Sequence, residues 1–120
     1  MSQAILVADD SSTMRKIILR SLLSLGSQEV IEASGGAEAV EKFVPGRFRL
    51  ILTDWNMPKK SGLEVVREIR ALDRSVPIVM VTTESERDRV VEAINSGVSD
   101  YLVKPFTADA LKAKLEKHGL

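Results

Sequence analysis

Short apolar segments recur along the chain, and a stretch with helical periodicity follows each of them. These segments are Ala4–Ala8, Glu29–Ala33, Leu50–Thr53, Ile78–Thr82 and Tyr101–Val103. The first, third and fourth are almost continuous in Val, Ile and Leu, which is typical of strands covered on both faces in a parallel sheet. Strands alternating with helices in this way predict a doubly wound α/β fold: a five-stranded parallel sheet with helices on both faces.

The stretches between the strands place hydrophobic residues at the spacing of one helix face. The first such face comprises Met14, Ile17, Ile18, Ser21, Leu22 and Leu25, and a later one begins with Val90, Val91 and Ile94. This spacing predicts amphipathic helices packed on the sheet. Ser12 or Thr13 is the expected N-cap of the first helix, and Thr107 that of the last.

Composition narrows the class of protein. The 120 residues fit one domain, with no linker and no output domain, spanning residues 1–120. No apolar run approaches the roughly 18 residues of a membrane-spanning helix, and no signal peptide is recognisable. The chain has no cysteine, so disulfides and thiolate metal sites are excluded. The absence of cysteine is compatible with a cytoplasmic location. Basic and acidic residues balance at 17 each, which argues against nucleic-acid binding.

Polar residues cluster where the predicted strands end. At these ends stand Asp9 and Asp10; Asp54, Trp55 and Asn56; Thr82, Thr83 and Glu84; and Lys104 and Pro105. Ligands of open α/β sheets bind beyond the carboxyl ends of the strands, so these residues are expected to converge on one site.

Three aspartates in one place repel each other, and a bound cation would relieve that repulsion. Mg²⁺ suits such a site because it takes oxygen ligands and is commonly held by carboxylates and phosphate oxygens. Asp9 or Asp10 could instead merely cap the first helix, and for either residue alone the two interpretations are evenly matched. Convergence with Asp54 and Lys104 favours the metal. One carboxylate could then attack a phosphoryl group, with Lys104 and Thr82 supplying charge and a hydroxyl.

The ordered motifs resemble a known family. "DD" after the first strand, "DWNMP" with Gly62 after the third, "VTTE" after the fourth and "YLVKPF" at the fifth are similar to the receiver domain of two-component response regulators. "STMRK", "TDWNMP" and "VKPFTADALKAKL" most resemble the stand-alone chemotaxis receivers of the CheY type. The resemblance spans essentially the whole chain and implies the flavodoxin-like strand order 2-1-3-4-5, of which CheY is itself a known example.

The resemblance also implies roles for the clustered residues. Asp54 would be the phosphoacceptor and a ligand of Mg²⁺. Asp10 would bind the metal directly, Asp9 mainly through water, and Asn56 through its backbone carbonyl. Lys104 would pair with the acceptor or its phosphoryl group, and a cis peptide would join it to the next proline.

A second set of implied roles concerns the response to phosphorylation. Thr82 would donate its hydroxyl to the phosphoryl group and move inward, and Tyr101 would fill the vacated space. Thr83 departs from the family, which usually has a smaller residue there, and a β-branched side chain at this position could crowd the path of Tyr101. Asn56 and Glu84 would tune hydrolysis of the aspartyl phosphate. The protein would not be an enzyme beyond accepting and losing its own phosphoryl group.

A stand-alone receiver acts by docking, and the family uses the face of the fourth helix, fifth strand and fifth helix. The candidates on this face are Arg87, Val90, Tyr101, Val103, Phe106 and Lys114. For Val90 and Phe106, packing in the core is an equally good interpretation. The expected partners of this monomer are a CheA-like histidine kinase, a flagellar motor switch protein or other protein effector, and a phosphatase. Nucleic acid and membrane insertion are not expected.

Three alternatives stay open at this point. The domain could be a phosphate sink or a relay intermediate within the same class. It could be a flavodoxin-like cofactor binder, with "SST" near a flavin phosphate and Trp55 and Tyr101 stacking on the ring, although Asp9 and Asp10 would repel that phosphate. It could also be a Mg²⁺-dependent phosphatase with an aspartate nucleophile, although such enzymes typically place a D-x-D motif after the first strand.

Overall fold

Strands and helices alternate from one end of the chain to the other. The computed structural model describes residues 3–26, 29–83 and 87–119, and only the backbone of residues 87 and 88. The strands are β1 (Ala4–Ala8), β2 (Val30–Ala33), β3 (Phe48–Asp54), β4 (Ile78–Thr83) and β5 (Asp100–Lys104). The helices are α1 (Ser12–Ser24), α2 (Gly36–Lys42), α3 (Gly62–Leu72), α4 (Arg87–Asn95) and α5 (Ala108–Lys117). Within the described ranges, no helix has the length and apolarity needed to cross a membrane.

The sheet has the predicted topology. Its five strands are parallel and follow the order β2-β1-β3-β4-β5. The central strand β3 pairs with β1 on one side and β4 on the other, and it extends one residue beyond the predicted segment to include Asp54. The phosphoacceptor candidate therefore ends the most protected strand of the sheet.

Hydrophobic residues fill both sides of the sheet. One face carries Leu6, Ile51 and Met80 against α2, α3 and α4, and the other carries Ile5, Leu52 and Leu102 against α1 and α5. Neighbouring residues of a strand point to opposite faces, so a strand buried on both faces must be apolar at successive positions. This double burial explains the nearly continuous apolar runs in the sequence.

The first helix corrects two details of the sequence prediction. Its N-cap is Ser11, whose Oγ accepts the Met14 N–H at 3.2 Å, so the expectation of Ser12 or Thr13 was wrong. Ile18 and Leu22 are buried as predicted, but Ile17 is 45% exposed and lies off the packed face. At the other end of the chain the expected cap is confirmed, because Thr107 Oγ1 accepts the Ala110 N–H at 3.0 Å.

The fourth helix packs less of its apolar surface than its spacing suggested. Ala93 is buried and Val90 is half-buried, whereas Val91 and Ile94 are 63% and 53% exposed. The periodic pattern of Val90, Val91 and Ile94 therefore does not mark a core face. Two of its three members form an apolar surface on the outside of α4.

Candidate functional site

The carboxyl ends of β1, β3 and β5 bring the predicted acids and the predicted lysine together. Lys104 Nζ lies 3.0 Å from Asp54 Oδ1 and 3.7 Å from Asp9 Oδ2. Asp9 and Asp54 are buried, and Asp10 is exposed at the rim. The lysine reaches across from the edge strand to the centre of the sheet, which the convergence rule predicted.

Asp9 supports the entry into α1 without being its N-cap, and one of its two carboxylate oxygens is held by that turn. Its Oδ1 accepts the Ser11 N–H at 2.8 Å and so supports the turn into α1. Its Oδ2 is buried and has no hydrogen-bond partner among the described residues, with Lys104 too far away for one. Arg15, which sequence reasoning missed, donates from Nη1 to the Asp9 carbonyl at 2.6 Å and fixes the backbone there. The unbonded oxygen is the kind of polar atom that a ligand is expected to satisfy.

Asp54 is held in one orientation. Its Oδ1 accepts hydrogen bonds from Lys104 Nζ at 3.0 Å and from the Trp55 N–H at 2.9 Å. The side chain is buried, with the residue 8% exposed, so solvent has only narrow access to it. Two donors on a single oxygen restrain the rotation of the carboxylate.

The electrostatics of the site disfavour two charged acids. Burial is the main cause that raises the pKa of Asp9 and of Asp54, and the charge of Asp9 raises the pKa of Asp54 further. The hydrogen bond and the charge of Lys104 lower the pKa of Asp54, but by less than burial and Asp9 raise it. One lysine is insufficient for two buried carboxylates, and an added cation would favour their charged forms.

The donor set fits a hard divalent cation. Asp9, Asp10 and Asp54 each place a carboxylate oxygen within 4.8 Å of the others. All the ligand atoms are oxygens, and within the described part of the chain Asp9 Oδ2 has no competing hydrogen bond. Mg²⁺ prefers such ligands and retains several waters, as the exposed side of Asp10 permits.

The loop after Asp54 turns sharply away from the sheet. The Lys60 N–H donates to the Pro58 carbonyl at 2.7 Å across Lys59, whose φ of 70° lies in the left-handed region. Gly62 begins α3 directly against the end of β3, where an added Cβ would collide with the Asp54 carbonyl oxygen. A glycine at this position is therefore needed to bring α3 close to the site.

Thr82 and Tyr101 lie on the same face of the sheet, on neighbouring strands. The register pairs Thr82 with Val103 and Met80 with Tyr101. Tyr101 and Val103 are two residues apart on β5, so their side chains share the face on which Thr82 lies. Thr82 is buried, whereas Tyr101 is 37% exposed and points outward. Thr83, at the end of β4, pairs with Lys104. The expected cis peptide between Lys104 and Pro105 is present.

Trp55 is covered rather than open. The residue is 4% exposed, and the Arg89 guanidinium of α4 lies over its ring, 5.6 Å from the centroid. A buried ring beneath an arginine is not available to stack on a flavin, so the cofactor-binding alternative loses its main support. The Arg89 contact was not anticipated, because nothing in the spacing of the sequence relates it to Trp55.

The predicted docking residues are only partly at the surface. Tyr101 is exposed, Val90, Val103 and Lys114 are half-buried, and Phe106 packs partly against the core beside α5. The most exposed apolar residues of α4 are Val91 and Ile94, which were not among the docking candidates. The side chain of Arg87 and all of Glu84 lie outside the described residues, and Asn56 is exposed beside the site.

A third buried acid, Asp100, was missed by the sequence analysis. Asp100, at the start of β5, receives Lys114 Nζ on Oδ1 at 2.8 Å and His118 Nε2 and Lys117 Nζ near Oδ2, at 3.1 and 3.3 Å. Burial opposes its charge, but hydrogen bonds from Lys114, the Tyr101 N–H, His118 and Lys117 outweigh it and lower the pKa of Asp100. The three partners lie on or just after α5, so only the packing of α5 on β5 reveals the group.

Comparison with known proteins identifies the class. The chain belongs to the response regulator receiver domain family, whose model matches residues 5–116. The curated relatives include the chemotaxis protein CheY1 of Helicobacter pylori strain J99, 48% identical over 115 residues, or 93% of each chain. The chain is thus a receiver domain homologous to the CheY chemotaxis response regulators, consistent with a phosphorylation-activated switch in chemotaxis.

Solved structures agree with the fold. CheY4 of Vibrio cholerae matches with a TM-score of 0.88 and 33% identity, covering 98% of this chain and 99% of its own. The receiver domain of the sensor histidine kinase PA1611 of Pseudomonas aeruginosa matches with a TM-score of 0.85 and 32% identity, covering 98% and 97%. That structure has a magnesium ion coordinated in the active site cleft. The predicted fold and family are confirmed.

Proposed function

We propose that this receiver accepts a phosphoryl group on Asp54, with Mg²⁺ bound beside it, and then changes the surface that it offers to a chemotaxis effector. The observation that carries the proposal is the geometry around Asp54: a buried carboxylate restrained by Lys104, next to Asp9 Oδ2, to which no described residue donates a hydrogen bond. Such a site stores unfavourable charge that a divalent cation and a phosphoryl group together would relieve.

The residues of the chain have separate parts in the transfer. The charged carboxylate of Asp54 attacks phosphorus, and the bond from phosphorus to the histidine nitrogen of the donor breaks. Lys104 offsets negative charge on the acceptor and on the phosphoryl oxygens. When bound to Asp9, Asp10, Asp54 and the Asn56 carbonyl, Mg²⁺ supplies positive charge to the phosphoryl oxygens. The buried hydroxyl of Thr82 is the candidate hydrogen-bond donor to the same group.

The phosphoryl group leaves by hydrolysis rather than by transfer to a separate substrate. The aspartyl phosphate is a mixed anhydride that water can attack, so we do not assign the chain an enzymatic activity on other molecules. Exposed Asn56 lies at the rim, where it can orient a water. Glu84 is assigned the same role from the family pattern alone.

The proposed partners follow from the chemistry and the surface. A histidine kinase supplies the phosphoryl group as phosphohistidine. The effector, for which a flagellar motor switch protein is the leading candidate, docks on the face formed by α4, β5 and α5. Val91, Ile94 and Tyr101 supply exposed apolar area there, and such area favours protein contacts. A phosphate sink would share the site and differ only in its partner, whereas a relay would pass the phosphoryl group on to a second protein.

Mass spectrometry tests the assignment of Asp54. Incubation with acetyl phosphate and Mg²⁺ is expected to add one phosphoryl group to the wild-type chain and none to Asp54→Asn. Asp109→Asn removes an exposed aspartate of α5 and is the matched control, with wild-type labelling expected. Undiminished labelling of Asp54→Asn would show that another residue is the acceptor.

A further inference from the structure

Lys114 makes two contacts at once beside the exposed tyrosine of β5. Its Nζ lies 2.8 Å from Asp100 Oδ1 and 5.5 Å from the centroid of the Tyr101 ring. The same Oδ1 accepts the Tyr101 N–H at 2.8 Å. One carboxylate oxygen thus joins the tyrosine backbone to the ammonium that covers the tyrosine ring.

We propose that Lys114, anchored by Asp100, is a positioning residue that holds Tyr101 in its outward orientation and so opposes the active state. This inference rests on the proposed function and on the movement that the family resemblance implies, in which Tyr101 turns inward when Thr82 engages the phosphoryl group. An inward rotation removes the ring from the ammonium, so the contact stabilises only the outward orientation. A contact made in only one of two states shifts the balance between them.

The anchor gives the contact its persistence. A free lysine samples many rotamers, and fixing it over a ring has an entropic cost. Here the Asp100 side chain is only 8% exposed and already restrains Lys114, whose side chain is 30% exposed. The ammonium is therefore placed beside the ring before any partner arrives.

The other partners of Asp100 separate this role from simple charge pairing. Lys117 Nζ lies 3.3 Å from Oδ2, and its side chain is 65% exposed. His118 Nε2 lies 3.1 Å from the same Oδ2. Lys114 alone among the three bonds to Oδ1, the oxygen that also holds the Tyr101 backbone. Loss of Lys117 should weaken the charge balance of Asp100 without releasing the ring.

The chain offers a direct probe of the tyrosine. Tyr101 is the only tyrosine, so 3-fluorotyrosine labelling gives one ¹⁹F resonance for the whole protein. The wild-type chemical shift without additions defines the outward orientation of Tyr101. The shift with Mg²⁺ and beryllofluoride, a phosphoryl analogue, defines the inward orientation. Lys114→Met keeps the length of the side chain and removes its charge.

Without beryllofluoride, Lys114→Met should move the resonance toward the inward position and raise the inward-to-outward ratio about two- to fivefold, as expected for loss of one surface cation–π contact. Asp100→Asn should shift it in the same direction by a smaller amount. Lys114→Arg restores a cation and should restore the wild-type position. Lys117→Met should leave the resonance unchanged.

Two results from the variants would overturn the inference. One is a wild-type resonance position in Lys114→Met; the other is an equal shift in Lys117→Met, which would indicate a general effect of charge. Failure of the proposed function is recognised separately, because phosphoryl labelling of Asp54 is measured by mass and does not depend on Tyr101. If the wild type is labelled but its resonance ignores beryllofluoride, Tyr101 is not the switch and Lys114 does not oppose activation.

Discussion

The molecule contains two sites built on buried aspartates, and they balance charge in opposite ways. At the carboxyl edge of the sheet, Asp9 and Asp54 share Lys104, and burial raises the pKa of both acids. At the start of β5, Asp100 has Lys114 and Lys117 of α5 and His118 just after that helix, and its pKa is lowered despite burial. One site lacks positive charge and the other has ample positive charge.

The difference distinguishes a site that stabilises the fold from a site that is suited to bind a cation. Asp100 is satisfied within the chain and fastens α5 to the edge strand. The Asp9–Asp54 site fits an added cation, and without one its unfavourable charge reduces stability. Burial of an acid is common to both, so burial alone does not indicate function; the number of partners does.

The largest expected effect on stability comes from removing the charge of Asp100, whose partners are all supplied by the chain. Asp100→Asn should lower the free energy of unfolding by about 1–2 kcal/mol, since the charge-assisted bonds are lost while the freed lysines can return to water. Urea denaturation at pH 7 measures the change. An unaltered midpoint would mean that the cations around Asp100 contribute nothing and that the comparison is wrong.

Removing a charge from the Asp9–Asp54 site should change the free energy of unfolding in the opposite direction. Without Mg²⁺, Asp54→Asn should raise the free energy of unfolding by roughly 0.5–1 kcal/mol, because one of two like charges is removed. Added Mg²⁺ should stabilise the wild type more than the variant and shrink that advantage, since a ligand of the native state stabilises it. Thermal unfolding with and without Mg²⁺ checks both statements, and a less stable variant without Mg²⁺ would contradict them.

The two sites should also differ in their dependence on pH. The folded pKa of Asp100 is lowered, so its stabilisation is complete above its unfolded pKa of about 4 and is lost as pH falls through its folded value. The folded pKa of Asp54 is raised, so its destabilisation is complete above that value and disappears as pH falls toward about 4. During acidification the Asp54→Asn difference should therefore vanish before the Asp100→Asn difference. Urea midpoints measured between pH 7 and pH 3 give the order, and the reverse order would refute it.

The smallest effect on stability should come from Lys117, the more exposed of the two lysines that contact Asp100. Lys117→Met should change the free energy of unfolding by less than about 0.5 kcal/mol, because the lysine side chain is 65% exposed and solvent screens its charge. The same denaturation assay applies, with Asp100→Asn as the reference. A loss as large as that of Asp100→Asn would show that Asp100 depends on Lys117 rather than on its inner partners.

Much of the first site was predictable because it follows from topology. Asp9, Asp54 and Lys104 stand at the ends of apolar segments, and parallel strands end at one edge of the sheet. Their distances, the unbonded Asp9 Oδ2 and the Arg15 bond to the Asp9 carbonyl were not predictable. These depend on side-chain orientation at the ångström level, which hydrophobic periodicity does not encode.

The second site was beyond sequence reasoning for a related reason. Asp100 and Lys114 are 14 positions apart, and their pairing requires α5 to pack against β5 at one particular angle. The exposure of Val91 and Ile94 likewise depends on how α4 is rotated on the sheet. Periodicity identifies a helix face but does not say whether the fold covers it.

The sequence by itself determined the α/β class, the approximate strands and helices, the family and the edge at which the reactive residues gather. It could do so because burial on both faces of a parallel sheet requires continuous apolar strands, and because strand ends converge by construction of the fold. Only the tertiary structure decided which acids are satisfied and which are not, and which way Tyr101 points. Charge balance and side-chain orientation depend on distances between residues far apart in the chain, and folding alone sets those distances.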